Sequence, residues 1–273
     1  LRKGVRQRIR DEGPRLNPLK VVLNATHTHT GPEIRVNRSW GVDVDVMPPS
    51  DYVDFAAERI ADAVRRAWEG LRGGKMAFGL GHAVVGHNRR WVDTSGEAHM
   101  YGDTATPVFD HIEGYEDHSV NVLATLDSGG DLTGLVVNVP CSAQVSEHDF
   151  VLSADYWHET RLELRRRLGE ALPILPQCSA AGDQSPHLLF EKRAEERMRR
   201  LNDRTERQEI ARRIADAVEE VLSGALPAAE SIETFQHDVR SIELPMTRLS
   251  AEDVEVARCS AEESRKEYEE EVR

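Results

Sequence analysis

The 273-residue chain carries 35 Lys and Arg against 48 Asp and Glu, a formal net charge of -13. A phosphate-binding surface needs a local excess of cations, so this balance argues against general nucleic-acid binding, and runs such as Arg165-Arg166-Arg167 read as solvated helix faces. A hydrophobic content of 39% lies above the disordered range, no apolar run is long enough to span a bilayer, and the three scattered cysteines, Cys141, Cys178 and Cys259, exclude a disulfide framework.

The chain opens on Leu1, without an initiator Met, in a basic amphipathic helix over 1–10. A Gly/Pro/Asn turn over 11–18 leads to a short apolar run, 19–24, bounded as a buried strand is. Ser50 stands where the N-cap would be for a helix over 51–71, in which Val53, Ala57, Ile60, Val64, Trp68 and Leu71 recur at helical spacing. Residues 75–85 read as a strand, and 119–126 and 132–139 as the arms of a hairpin closed by Asp127-Ser128-Gly129-Gly130. Between them, 92–115 is rich in Asp, Gly, Thr and Pro and reads as a long loop of the kind that lines active sites. A helix over 154–168, an apolar segment at 172–175 and a turn at 182–186 follow. Residues 191–222 read as helical and highly charged, 232–246 as a strand pair, and the remainder as an acidic helix. The chain stops inside that helix, at Glu269-Glu270-Glu271-Val272-Arg273, without a capping signal, so both natural ends are expected to lie outside the sequence. The alternation of strand and helix predicts an α/β fold, a mixed β-sheet core flanked by helices, forming a single domain over 1–273.

The sharpest chemical feature is Asn24-Ala25-Thr26-His27-Thr28-His29-Thr30-Gly31-Pro32-Glu33. In extended chain, positions i and i+2 face the same way, so His27 and His29 would project from one side of a strand end. Paired imidazoles so placed suit a zinc site, and they equally suit a polar strand edge with two hydrogen-bonded histidines; spacing alone leaves both open.

Thr26-His27-Thr28-His29-Thr30-Gly31-Pro32 resembles the Thr-His-Thr-His-Ser-Gly-Pro signature of the neutral, non-lysosomal ceramidases. Further segments resemble that family in the same order: Asn88-Arg89, then Val137-Asn138 with Ser153-Ala154-Asp155-Tyr156, then Gly182-Asp183-Gln184-Ser185-Pro186. The matches fall within 19–187 and imply that 1–273 is an incomplete, divergent catalytic domain of the ceramidase type, with 188–273 helical and charged. The resemblance implies a zinc-dependent hydrolase that cleaves the amide bond of a small-molecule or lipid N-acyl substrate, ceramide-like in kind, and a secreted or periplasmic location. It implies one Zn2+ per chain with His27 as a ligand, and His29 beside it to hydrogen-bond substrate or carry a proton. Arg89 would stabilise the oxyanion, or else is a surface arginine beside Arg90. Ser185 falls where the family has been assigned a serine nucleophile, though Asp, Ser and Pro are also what a tight turn selects. A serine attack would want a base such as His29; a zinc-activated water is preferred, because the chain has no G-x-S-x-G elbow.

One departure stands out. Where the family carries a second histidine ligand, this chain reads Val139-Pro140-Cys141-Ser142-Ala143-Gln144, with Ser142 about where that histidine would be. Cys141 or His148, with Glu147 between them in sequence, are the replacement donors nearby, and no segment matches the family's glutamate and tyrosine ligands, which are expected outside the sequence. The alternatives to a zinc enzyme are therefore a non-catalytic domain that lost its metal site, and a metal-independent serine hydrolase using Ser185. His82, His87, His99, His111, His118 and His237 read as surface or core histidines, whereas His187, just past Ser185, is placed to contact the site. Nothing in the sequence sets an oligomeric state.

Overall fold

The computed structural model describes residues 1–11, 16–35, 45–234, 236–246 and 248–271, which fall into two units, Leu1–Phe235 and Gln236–Arg273. In the first unit, the helices α1 (Arg2–Asp11) and α2 (Pro49–Glu69) are followed by strands β1 (Gly74–His82), β2 (His87–Asn88), β3 (Arg90–Asp93), β4 (Ala98–Met100), β5 (Phe109–Ile112), β6 (Ser119–Asp127) and β7 (Leu132–Val139). Then come α3 (Tyr156–Leu168), β8 (Ile174–Cys178), β9 (Gln184–Ser185), α4 (Lys192–Leu201) and α5 (Glu206–Ala225).

The main sheet has the order β1-β6-β7-β8. β1, β6 and β7 are antiparallel neighbours, whereas β7 and β8 run parallel, so the chain must cross over between them and does so through α3. This is the mixed, helix-flanked α/β sheet that the alternation predicts. Every second residue of β6 and β7, Val120, Val122, Ala124 and Leu126 with Leu135, Val137 and Val139, is buried against Trp157 and Leu164 of α3 and Ile214 and Val218 of α5. Burial of each such aliphatic side chain is worth about 1.5–3 kcal/mol, which makes this layer contact the chief source of stability. α5 can lie close to β1 because Gly79 and Gly81 face it; a Cβ at either position would meet the Val221 side chain at 2.8 Å. A smaller cluster, Val5, Ile9, Val21, Ala57 and Ala61, joins α1 to α2.

Several local expectations are corrected. Residues 19–24 form no strand: Pro18–Lys20 is a 3-10 turn, Val21 alone is buried, and Asn24 replaces a ladder pair with its side chain. Its Oδ1 accepts from Cys178 N–H and its Nδ2 donates to Cys178 C=O, each at 3.2 Å, at the free edge of β8. Ser50 is not the cap of α2, which starts with Pro49 after Pro48; a proline in the first turn fixes φ and gives up an N–H that would have no partner. The loop expected over 92–115 contains a three-stranded sheet of order β4-β3-β5, centred on Trp91, whose ring stacks on His99 at 4.5 Å and meets Phe109 at 5.7 Å. The charged region 191–222 is two helices, broken at Asn202-Asp203 and restarted by a Thr205/Gln208 capping box.

Among the described residues no ladder forms over 232–246; Glu230 alone pairs with Met76, and Ile242, Leu244 and Met246 are largely exposed. Pro245 lacks the N–H a ladder requires there, and Phe235 lies outside the described residues. So do 12–15 of the expected turn and Val272 and Arg273 at the chain end. The second unit contains α6 (Ala251–Glu271), exposed throughout and laced by pairs of Arg258 with Glu255 and Glu262 and of Arg265 with Glu269. Among the described residues no helix is long and apolar enough to cross a membrane.

Candidate active site

The matched segments converge. β2 pairs with β9, placing His87 opposite Ser185 and Asn88 opposite Gln184. Buried Asn88 donates through Nδ2 to Asp183 at 3.3 Å, and Arg89 N–H donates to Asp183 C=O at 2.9 Å, so the Asn-Arg and Gly-Asp-Gln-Ser-Pro segments form one platform. The histidine segment is held by its threonines: Thr28 Oγ1 and Thr30 Oγ1 both donate to Ser153 C=O, at 3.1 and 3.0 Å. Thr26 C=O and His29 N–H each bond to Ala143, tying the segment to the chain that leaves β7. Asp155 caps α3 and also accepts Ser146 N–H at 2.7 Å, which fixes the loop carrying Glu147.

His27 and His29 lie together, with ring centroids 5.2 Å apart. Strand pleating is not the cause, since His27 takes a left-handed conformation at φ 55°. Burial, the neighbouring His29 and the charge of Arg89 all hold the His27 pKa below its usual value, so this imidazole keeps its lone pair at neutral pH. His29 Nδ1 is 2.7 Å from Glu147 Oε2, and His187 Nε2 is 2.9 Å from Glu147 Oε1. Sequence reasoning named Glu147 only as a spare ligand; its place between two imidazoles depends on the turn pinned by Asp155.

Arg89 donates from Nε and Nη2 to Gly182 C=O, at 3.2 and 2.7 Å, and from Nη1 to the Tyr101 hydroxyl at 3.1 Å. It is anchored rather than a free surface arginine. Ser185 is fully buried, and its Oγ accepts from Tyr101 OH at 3.2 Å and from His187 N–H at 3.1 Å. Among the described residues no imidazole hydrogen-bonds to Ser185 Oγ. Tyr101, which carried no signal in the sequence, also accepts from Gln144 Nε2 at 2.8 Å, and Gln144 Oε1 in turn accepts from Ser142 Oγ.

The two second-ligand candidates sit in different surroundings. Cys141 is completely buried, its thiol pushed far up by desolvation and by Cys178, with Tyr156 against it. His148 is solvent-exposed, its Nε2 3.8 Å from Glu147 Oε1. Ser142 is buried and donates to Gln144. Two imidazoles, one of them held neutral, are donors that zinc accepts, so the residues present fit one corner of a zinc site. Among the described residues the cluster of three ligand atoms close enough to share an ion is instead Asp93, Glu97 and His99, at the β3–β4 turn. There Asp93 is already committed to Ser95, Glu97 N–H and His99.

Fold and site together define a mixed α/β domain that gathers two neighbouring histidines, a carboxylate, an arginine and a buried serine beyond its strand ends. The same fold is found in the neutral ceramidase from Pseudomonas aeruginosa, with a TM-score of 0.56 at 17% identity over 82% of this chain. A ceramidase complexed with C2 gives 0.57 at 18% over 82%. The chain spans 34% of the length of each. No protein-family pattern and no curated protein matches the chain.

Proposed function

We propose that the chain carries part of the active site of a zinc-dependent hydrolase that cleaves the amide bond of an N-acyl substrate. The observation that carries this reading is the arrangement of His27, exposed yet with its pKa held below the usual value by desolvation, by His29 and by Arg89, next to His29, whose Nδ1 is held by Glu147. In this reading His27 holds zinc, and further ligands come from outside this chain. Zinc, when bound, supplies Lewis-acid polarisation of the scissile carbonyl and activation of the attacking water.

The chain's own residues do the rest. With Nδ1–H committed to Glu147, His29 offers an Nε2 lone pair that can take the proton given up by the attacking water and then deliver it to the leaving amine. Arg89 uses three of its five guanidinium N–H groups on Gly182 and Tyr101, which leaves two to stabilise charge growing on the carbonyl oxygen. The polar Tyr101–Gln144–Glu147 chain keeps these groups in register. Ceramide is one candidate among N-acyl amides, and the altered 139–144 segment favours a broad substrate screen.

A second reading, a relative that kept the fold and lost the metal, has one observation in its favour: among the described residues His27 and His29 belong to no group of three ligand atoms lying within 4.8 Å of one another. Zinc content separates the two. About one zinc per chain in the parent protein, lost in His27→Ala together with hydrolysis of N-acyl amides, supports the enzyme. Hydrolysis retained in His27→Ala refutes the assignment of His27, and zinc-free, inactive parent protein favours the second reading. A serine hydrolase has less support, because Ser185 Oγ is bonded to Tyr101 and a backbone N–H rather than to a base.

A further inference from the structure

Tyr101 lies in the region between the matched segments Asn88-Arg89 and Val137-Asn138, at the end of β4. Its backbone is left-handed, φ 62°, a conformation that a bulky side chain rarely takes. Both backbone groups hold it there: the N–H donates to Arg89 C=O at 2.8 Å and the C=O accepts from Trp91 Nε1 at 2.8 Å. An outlier fixed from both sides points to a task for the side chain.

That side chain ends in a fully used hydroxyl. The phenol has one proton and two lone pairs; it accepts from Arg89 Nη1 at 3.1 Å and Gln144 Nε2 at 2.8 Å, and donates to Ser185 Oγ at 3.2 Å. Gln144 Nε2 also faces Glu147 Oε2 at 3.5 Å, so a single oxygen joins the Arg89–Ser185 half of the site to the Glu147–His29 half. Arg89 has a second anchor, Gly182 C=O, which holds Nε and Nη2. One acceptor atom leaves the guanidinium plane free to swing about it. Tyr101 supplies the other fixed point.

We infer that Tyr101 is a positioning residue: its hydroxyl sets Arg89 Nη1 and Ser185 against the Glu147–His29 pair, and the three-stranded sheet serves to insert it. The consequence for turnover rests on the hydrolase reading; the geometry of Arg89 does not.

The test is NMR of the full chain labelled with 15N-arginine, with Arg89 assigned by Arg89→Lys, compared with Tyr101→Phe. In the parent, the Nη1 hydrogens of Arg89 should give separate, slowly rotating resonances. In Tyr101→Phe the Nη1 pair should average while Nη2, still on Gly182, stays resolved. On an N-acyl amide, kcat should fall by about 10- to 100-fold with KM within about twofold. Nη1 resonances unchanged in the variant, or kcat unchanged despite their averaging, overturn the proposal. If Nη1 averages as expected but the parent cleaves no amide, the positioning role stands and the hydrolase reading falls. Should Tyr101→Phe fail to fold, the parent spectrum decides: an Nη1 pair already averaged there overturns the proposal, and a slow one supports it.

Discussion

Glu147 holds His29 through one carboxylate oxygen, at 2.7 Å, and His187 through the other, at 2.9 Å. One side chain therefore orients two imidazoles that arrive from separate segments, and it does so from a turn locked by Asp155. A carboxylate on one imidazole nitrogen fixes the tautomer and the direction of the other nitrogen.

Glu147→Gln should therefore damage catalysis without emptying the metal position. The amide nitrogen cannot accept from an imidazole N–H, so at least one of the two histidines must lose its bond or switch tautomer, which changes what its other nitrogen offers. Loss of such a partner costs about 10- to 100-fold in activity. His27 makes no hydrogen bond to Glu147, so zinc content should be unchanged. Steady-state kinetics beside elemental analysis checks this; full activity in the variant would show that Glu147 orients nothing that matters.

Ser185→Ala should leave substantial activity. Both lone pairs of Oγ accept hydrogen bonds, from Tyr101 and from His187 N–H, so the oxygen is poorly placed to attack a carbonyl. The cost should fall on stability, at about 1–3 kcal/mol, because two donors in a buried setting lose their acceptor. A urea midpoint, and labelling with a serine-directed fluorophosphonate, read the two effects separately. Stoichiometric labelling of Ser185 with loss of all activity would restore the nucleophile.

The motif histidines and the hairpin of β6 and β7 were legible because their signals are local: residue identity at fixed spacing, and alternation bounded by a Gly-Gly turn. Tyr101 was not. Its significance arises from a left-handed backbone and from partners at 89, 144 and 185, none of which leaves a trace in composition. The region around it looked like a loop because its strands are short and its packing depends on one tryptophan, stacked on His99 and tilted against Phe109. The opposite holds at 232–246, read as a strand pair, where the apolar residues find no sheet edge to join among the described residues. Pattern describes what a segment could bury; contact decides whether it does.

His87 should make the protein less stable in mild acid. Burial lowers its pKa below 6.5 and outweighs Glu116, which raises it, while His118 and Arg213 add to the lowering. The unfolded chain then binds a proton that the native state refuses. Stability should be level above about pH 6.5 and decline as pH falls through 6.5 toward the lower native value. His87→Asn should decline less between pH 7.5 and 5.5 in thermal melts. An equal decline in parent and variant would assign the effect to other groups.

Glu209 should act in the opposite sense and at lower pH. It lies in the first turn of α5, 9% exposed, with Arg204 Nη1 at 3.0 Å, Arg212 Nη2 at 2.7 Å and Arg213 Nε at 3.2 Å. Burial alone would raise its pKa; hydrogen bonds from Arg212 and Arg204 and the nearby positive charges reverse that and hold it at about 2. The helix N-terminus adds to the preference for negative charge. A depressed native pKa contributes stability that is complete above the ordinary carboxylate value of 4.5 and is lost as pH falls toward 2. Glu209→Gln should accordingly cost about 1.5–3 kcal/mol at pH 7, the scale of hydrogen bonds to a charged group. Because α5 covers β1 through Gly79 and Gly81, the loss should appear in global unfolding rather than as fraying of one helix. Urea unfolding at pH 7 and pH 3 tests both points: the gap between parent and variant should narrow at the lower pH, and a gap of constant size would mean that the carboxylate's charge contributes nothing.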